Sequence, residues 1–179
     1  MRHFKLVTLG DEDTGKTCLI KAYCEERFEG KYIPTIGLDY GLRAEPNAPK
    51  PLALNIFDLS GDPFFAPLLP EMLSDAQVIL VCYVPGLTSE IRIVELDKLI
   101  QTNANKPILK YLVGCKKDLH FTREKFDAQK FSERNGYLHL LTSARDHRSV
   151  KILFKQIVDK LAFSKPDGEI VFPAVVQTK

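Results

Sequence analysis

The sequence predicts an α/β fold, a six-stranded, mostly parallel sheet with one antiparallel edge strand and helices on both faces. Three observations carry that prediction. Apolar strand-like runs and helical patterns alternate along most of the 179 residues, and such alternation builds a parallel sheet covered on both sides. Two runs, Leu38–Ala44 and Leu52–Asp58, break the pattern: only Glu45-Pro46-Asn47-Ala48-Pro49-Lys50-Pro51 lies between them, without a helix. They are expected to pair as an antiparallel hairpin with the first strand at an edge. Finally, Gly10 to Thr17 (Gly-Asp-Glu-Asp-Thr-Gly-Lys-Thr) stands between an apolar strand, Phe4–Leu9, and a helical segment, Cys18–Arg27. It fits G-x-x-x-x-G-K-S/T, the strand–loop–helix arrangement that wraps phosphates.

The later elements follow in order. Strands are predicted at Val78–Val84, Ile108–Gly114 and Tyr137–Leu141, with helices at Glu90–Thr102, Thr122–Asn135 and Ser149–Phe163. In the last helix Val150, Leu153, Phe154, Ile157, Val158 and Leu161 recur at helical spacing and define one buried stripe. Thr122 is an acceptable N-cap for the helix before it. A chain of this length makes one domain, here 1–163, followed by a Pro- and Gly-punctuated tail or linker at 164–179. The tail carries an apolar patch, Ile170-Val171-Phe172, that is expected to dock or to lead into further chain.

Composition narrows the function classes. Hydrophobic residues make up 45% and charged residues 27%, as in an ordinary globular protein. The 25 Lys and Arg are nearly balanced by 23 Asp and Glu, which argues against a dedicated nucleic-acid surface. Cys18, Cys24, Cys82 and Cys115 form no C-x-x-C pair. Most sit in or beside apolar runs, so buried free thiols and a reducing compartment are expected. With no signal-peptide pattern and no apolar run of membrane-spanning length, the chain is expected to be cytoplasmic.

The chemistry is expected beyond the carboxyl ends of the strands, where open sheets of this type hold ligands. In the Gly10–Thr17 loop, successive backbone N–H groups and the start of a helix form an anion-binding nest. Lys16 adds a mobile positive charge for the β and γ phosphates, and the Thr17 hydroxyl can hold Mg²⁺. Asp58-Leu59-Ser60-Gly61 follows the Leu52 strand, placing a carboxylate for the metal and a glycine for close backbone approach to a terminal phosphate. Cys115-Lys116-Lys117-Asp118 and Thr142-Ser143-Ala144-Arg145 follow the next strand ends. An aspartate accepting two N–H bonds reads the edge of guanine and is left unpaired by adenine.

These motifs, in this order, resemble the Ras superfamily of small GTPases, and the similarity covers about residues 3–163. Gly10–Thr17, Thr35, Asp58–Gly61, Lys116–Asp118 and Ser143–Arg145 stand at family-like spacing. The resemblance implies a G-domain that binds GTP or GDP with Mg²⁺. Metal ligands would be Thr17, Thr35 and Asp58, and nucleotide contacts would come from Gly10, Asp13, Thr14, Gly15, Lys16, Thr17, Cys18, Thr35 and Gly61. Phe28 would stack over the base, Lys116 would lie against it, Asp118 would bind its edge, and Ser143, Ala144 and Arg145 would complete that end. Tyr32-Ile33-Pro34-Thr35-Ile36-Gly37 is similar to switch I of Rab proteins, which implies membrane traffic or signalling. Ala76–Tyr83 and Cys115 resemble the Rho branch, but the connection after Leu119 is too short for the Rho insert. An atypical Rab-like member with some Rho-like features is the expectation. Effectors and regulators would dock on Tyr32–Gly37 and Asp62–Met72. Without a cysteine after Cys115, no C-terminal lipid anchor is expected in this chain.

The departures from the family pattern shape the functional reading. Glu12 and Asp13 occupy loop positions that are usually small; their carboxylates either point outward or, close to a triphosphate, repel it by roughly 1–4 kcal/mol per charge pair. The resemblance gives catalytic roles to Thr35 and to the position of the water-orienting glutamine, where Asp62 stands and cannot donate a hydrogen bond to developing charge. Cys115 replaces the asparagine that ties the base-binding loop to the phosphate loop, which is expected to speed exchange. Pro63, Pro67 and Pro70 should stiffen switch II, while Phe64 and Phe65 are either a partner surface or packing under the neighbouring helix. Two readings stand: a guanine-nucleotide switch with very slow intrinsic hydrolysis, and a pseudo-GTPase scaffold that no longer cycles. A P-loop kinase or ATPase would not account for Lys116–Asp118 and Ser143–Arg145.

Overall fold

The computed structural model describes residues 1–28, 30, 33–119 and 126–164. The elements run β1 (Arg2–Leu9), α1 (Lys16–Cys24), β2 (Leu38–Glu45), β3 (Leu52–Leu59), a 3-10 helix (Pro63–Leu68), α2 (Leu69–Ser74), β4 (Val78–Tyr83), α3 (Glu90–Asn103), β5 (Leu109–Gly114), α4 (Ala128–Asn135), β6 (Leu138–Leu141) and α5 (His147–Ala162). They form one six-stranded sheet in the order β2-β3-β1-β4-β5-β6. Only β2 is antiparallel, pairing with β3 from Leu38↔Leu59 to Glu45↔Leu52. The Pro-rich connection thus makes the edge hairpin that its composition predicts.

The sheet has a core on each face because side chains alternate along the strands. β4 sends Val78, Leu80 and Cys82 to one side and Ile79, Val81 and Tyr83 to the other. The first side is covered by Leu19, Ile20 and Tyr23 of α1 and by the α5 stripe of Val150, Leu153, Phe154, Ile157, Val158 and Leu161. Tyr23 and Phe154 stack with ring centroids 3.7 Å apart, joining the two helices. Leu73 of α2, Ile93, Leu96 and Ile100 of α3, and Phe131 of α4 cover the other side. Each such side chain contributes on the order of 1.5–3 kcal/mol through burial.

Helix ends differ from the expected ones for local reasons. α1 starts at Lys16, inside the phosphate loop, and stops at Cys24, because Glu26 adopts a left-handed φ of 53°. α4 starts at Ala128, not at Thr122: the Asp127 carboxylate accepts the Lys130 N–H at 2.9 Å. Aspartate is a favoured N-cap, and the expected cap Thr122 lies outside the described residues. α5 starts at His147, capped by Asp146, whose carboxylate accepts the Arg148 and Ser149 N–H groups. Arg2 donates to the carbonyls of Ala162 and Ser164, fastening the far end of α5 to β1. Apart from Ser164, the 164–179 segment lies outside the described residues. No described helix is long and apolar enough to cross a membrane.

Candidate functional site

The loops at the carboxyl ends of β1, β3, β5 and β6 enclose a cleft of about 280 Å³. Its lining includes Asp13, Gly15, Lys16, Thr17, Cys18, Phe28, Thr35, Gly61, Lys116, Asp118, Ser143, Ala144 and Arg145. Gly10 and Thr14 shape the loop from behind. A Cβ on Gly10 (φ 143°) would lie 2.3 Å from the Cys82 carbonyl oxygen, so only glycine lets the loop leave β1 this close to β4. The Thr14 hydroxyl donates to the Asp11 carbonyl at 2.8 Å. Lys16 is buried and folds back under the loop, its ammonium donating to the carbonyls of Gly10 (2.8 Å) and Asp11 (2.7 Å). Burial lowers its pKa, opposed by the negative charges of Asp58 and Asp11.

Next to Lys16, three oxygen-bearing side chains converge. Thr17 donates to Asp58 Oδ2 at 2.5 Å, and the Thr35 and Thr17 hydroxyls are 2.8 Å apart. Thr8 holds the other carboxylate oxygen at 2.6 Å. Two hydroxyls and a carboxylate drawn from α1, the loop before β2, and β3 are hard donors of the kind Mg²⁺ prefers, so this set fits that ion. Asp58 is only 2% exposed, and burial raises its pKa against the opposing hydrogen bonds from Thr17 and Thr8.

At the opposite end of the cleft Asp118 Oδ1 accepts the Ser143 hydroxyl at 2.6 Å. That bond holds the Asp118 carboxyl below its ordinary range and leaves it an ionised acceptor. The Arg145 guanidinium lies 5.1 Å from the centre of the Phe28 ring and 3.9 Å from Asp118. Lys117 turns away to Asp146 at 2.6 Å, which anchors the loop to the start of α5.

Glu12 and Asp13 both line the cleft, and the acids of this loop find separate partners. Asp13 pairs with Lys116 at 2.9 Å, and Asp11 pairs with Arg92 of α3 at 2.6 Å. Glu12 is exposed. Neither Asp11 nor Arg92 stood out in the sequence, because Arg92 lies 81 positions away and no motif joins them. Gly61 rests directly on this loop: a Cβ there would meet the Glu12 nitrogen at 2.2 Å and the Asp11 carbonyl carbon at 2.3 Å.

Asp62 does not line the cleft. Its carboxylate accepts the Phe64 N–H at 2.9 Å and caps the 3-10 helix, with Pro63 in the first helical position. The two phenylalanine rings meet edge to face at 5.1 Å but differ in exposure. Phe64 is 79% exposed, whereas Phe65 is half-buried, its ring 3.5 Å from the point where a Cβ on Gly37 would stand. Ile33 and Ile36 are exposed nearby, while Tyr32 lies outside the described residues. All four cysteines are free; Cys82 and Cys115 are buried, but Cys18 is half-exposed at the cleft wall, contrary to the expectation of a buried thiol.

Comparison with known proteins agrees with this geometry. The family model described as Ras family matches residues 5–163. DnaJ homolog subfamily C member 27 of Danio rerio is 28% identical over 166 residues, covering 88% of this chain and 60% of that protein. The Bos taurus protein of the same name is 29% identical over 159 residues, covering 84% and 58% respectively. The chain thus spans about 60% of the length of these curated relatives.

The burial of Asp58 yields a sign-specific prediction. A raised carboxyl pKa in the fold means that stability is gained as pH falls through the folded-state value toward the unfolded one, about 3.9, and lost as pH rises. In metal-free, nucleotide-free protein, Asp58→Asn should therefore raise the thermal midpoint at pH 7. That advantage should shrink as pH is lowered toward about 4, as followed by circular dichroism.

Proposed function

We propose, for a chain that belongs to the Ras family, the function of a guanine-nucleotide-binding switch with very slow intrinsic hydrolysis. The observation that carries this reading is Asp118, fixed by Ser143 as an ionised acceptor at one end of a cleft whose other end is the phosphate loop. A carboxylate so placed fits the paired N–H donors of guanine, and adenine would leave it desolvated without partners.

Residue roles follow from position. The backbone of Gly10 to Cys18, including Asp13, Thr14 and Gly15, would cradle the phosphates, and Lys16 would exchange its two carbonyl partners for phosphate oxygens. Phe28, Lys116, Ala144 and Arg145 would frame the base. Thr17, Thr35 and Asp58 would hold Mg²⁺, which when bound offsets the charge of the β and γ phosphates. Thr35 and Gly61 sit on the two segments that a terminal phosphate would order, so nucleotide state would reach the exposed Ile33, Ile36 and Phe64. Those apolar side chains, within Tyr32–Gly37 and Asp62–Met72, suit effectors and regulators of a Rab-like protein. Residues 1–163 would form the switch domain, and 164–179 a tail or linker.

Slow hydrolysis rests on Asp62. Its carboxylate is engaged by a backbone N–H, and it has no proton to give to developing negative charge. The pseudo-GTPase reading draws on Asp62 together with Glu12, Asp13 and Cys115: a binding module that no longer cycles would need nothing better at those positions.

Fluorescent guanine nucleotide bound to stripped protein in Mg²⁺ should be displaced by GTP and GDP but not by ATP; displacement by ATP, or no binding, would remove the reading. Asp62→Gln should accelerate single-turnover GTP cleavage by about tenfold or more. An unchanged rate would shift the cause to Glu12 and Asp13.

A further inference from the structure

We infer that Asp13 is a nucleotide-retention residue: its carboxylate holds Lys116 and latches the phosphate loop to the base-binding loop, a tie that Cys115 cannot make. This inference rests on the guanine-nucleotide reading above. The pair spans 103 residues of sequence at 2.9 Å. The Lys116 stem runs along the phosphate loop on its way, its Cε lying 3.8 Å from where a Cβ on Gly15 would stand.

Among the described residues three non-glycines have positive φ, and two of them are Asp13 (56°) and Lys116 (58°). Such conformations persist where surrounding structure imposes them, so each member of the pair stands on a backbone shaped by its own loop. Cys115 is turned away: its thiol donates to the Val113 carbonyl of its own strand at 3.8 Å, and its Cβ lies 3.7 Å from where a Cβ on Gly15 would stand. Lys117 secures the other side of the base-binding loop to Asp146. The loop is therefore held to α5 by one lysine and to the phosphate loop by the other. Asp13 acts on the nucleotide through Lys116, as a positioning residue.

Two effects of Asp13 have opposite signs. Repulsion of phosphates by its charge would quicken nucleotide release, and the latch would slow it. With Lys116 at its carboxylate, the latch dominates. The Asp13 side chain is 71% exposed and that of Lys116 28%, and ion pairs this open change an equilibrium by only about two- to fivefold.

The test is release of a preloaded fluorescent GDP analogue from the full chain in Mg²⁺, chased with excess GDP. Asp13→Asn should release about two- to fivefold faster than wild type, and Asp13→Glu should restore slow release. Wild-type release should quicken as salt rises, with the Asn variant nearly insensitive. Adding Asp13→Asn to Lys116→Met should give no further acceleration. Release by Asp13→Asn that is equal to or slower than wild type, or acceleration persisting in the Lys116→Met background, overturns the latch. A wild-type protein that takes up no guanine nucleotide overturns the reading beneath it, and the latch falls with it.

Discussion

The buried carboxylate of Asp58 organises the site. It joins Thr8 of β1, Thr17 of α1 and, through Thr17, Thr35 of the loop before β2. A charge this deep is costly unless hydrogen-bonded, and the two hydroxyls that satisfy it are fixed by different elements of the fold. The parallel pairing of β1 with β3 puts Thr8 opposite Asp58, so the sheet register itself supports the carboxylate. A carboxyl group at this depth adds nothing that packing needs, and burial raises its pKa; in the proposed function it is one of three side chains that would hold Mg²⁺.

A second constraint is electrostatic. Three consecutive acids, Asp11, Glu12 and Asp13, occupy a loop whose backbone is suited to anions. Two of them are paired by cations from opposite sides, Arg92 on α3 and Lys116 on the base-binding loop. This bracing keeps the loop in contact with both neighbours while Gly61 packs against its outer side. Lys116 lies between phosphate loop and base loop, and Arg92 between phosphate loop and α3, so the acids that look like defects in sequence become attachment points in three dimensions.

Much of the architecture was legible from the residues. The alternation of apolar runs gave the parallel sheet, the Pro-rich gap between Leu38–Ala44 and Leu52–Asp58 gave the edge hairpin, and the α5 stripe is the buried one. Motifs after strand ends fall around one cleft because parallel strands deliver all their carboxyl ends to the same side. What was not legible is long-range or depends on competition between neighbours. The direction of the Asp13 side chain depends on a lysine 103 residues away. The Asp127 cap of α4 carries no capping-box signature that would have marked it in the sequence. Asp62 reads as a degenerate catalytic position, yet its local role is to cap a proline-initiated turn. Phe64 and Phe65 touch each other yet differ in exposure, the one open and the other half-buried, set by the one-residue step around a 3-10 helix.

The most direct test of a state-dependent switch is amide hydrogen exchange with the protein loaded in turn with Mg²⁺-GDP and a non-hydrolysable Mg²⁺-GTP analogue. Exchange across 33–37 and 60–72 should slow in the triphosphate state, while the amides of β4 and α5 stay unchanged. Identical exchange at those two segments in both states would contradict the switch and leave a nucleotide-binding scaffold in its place.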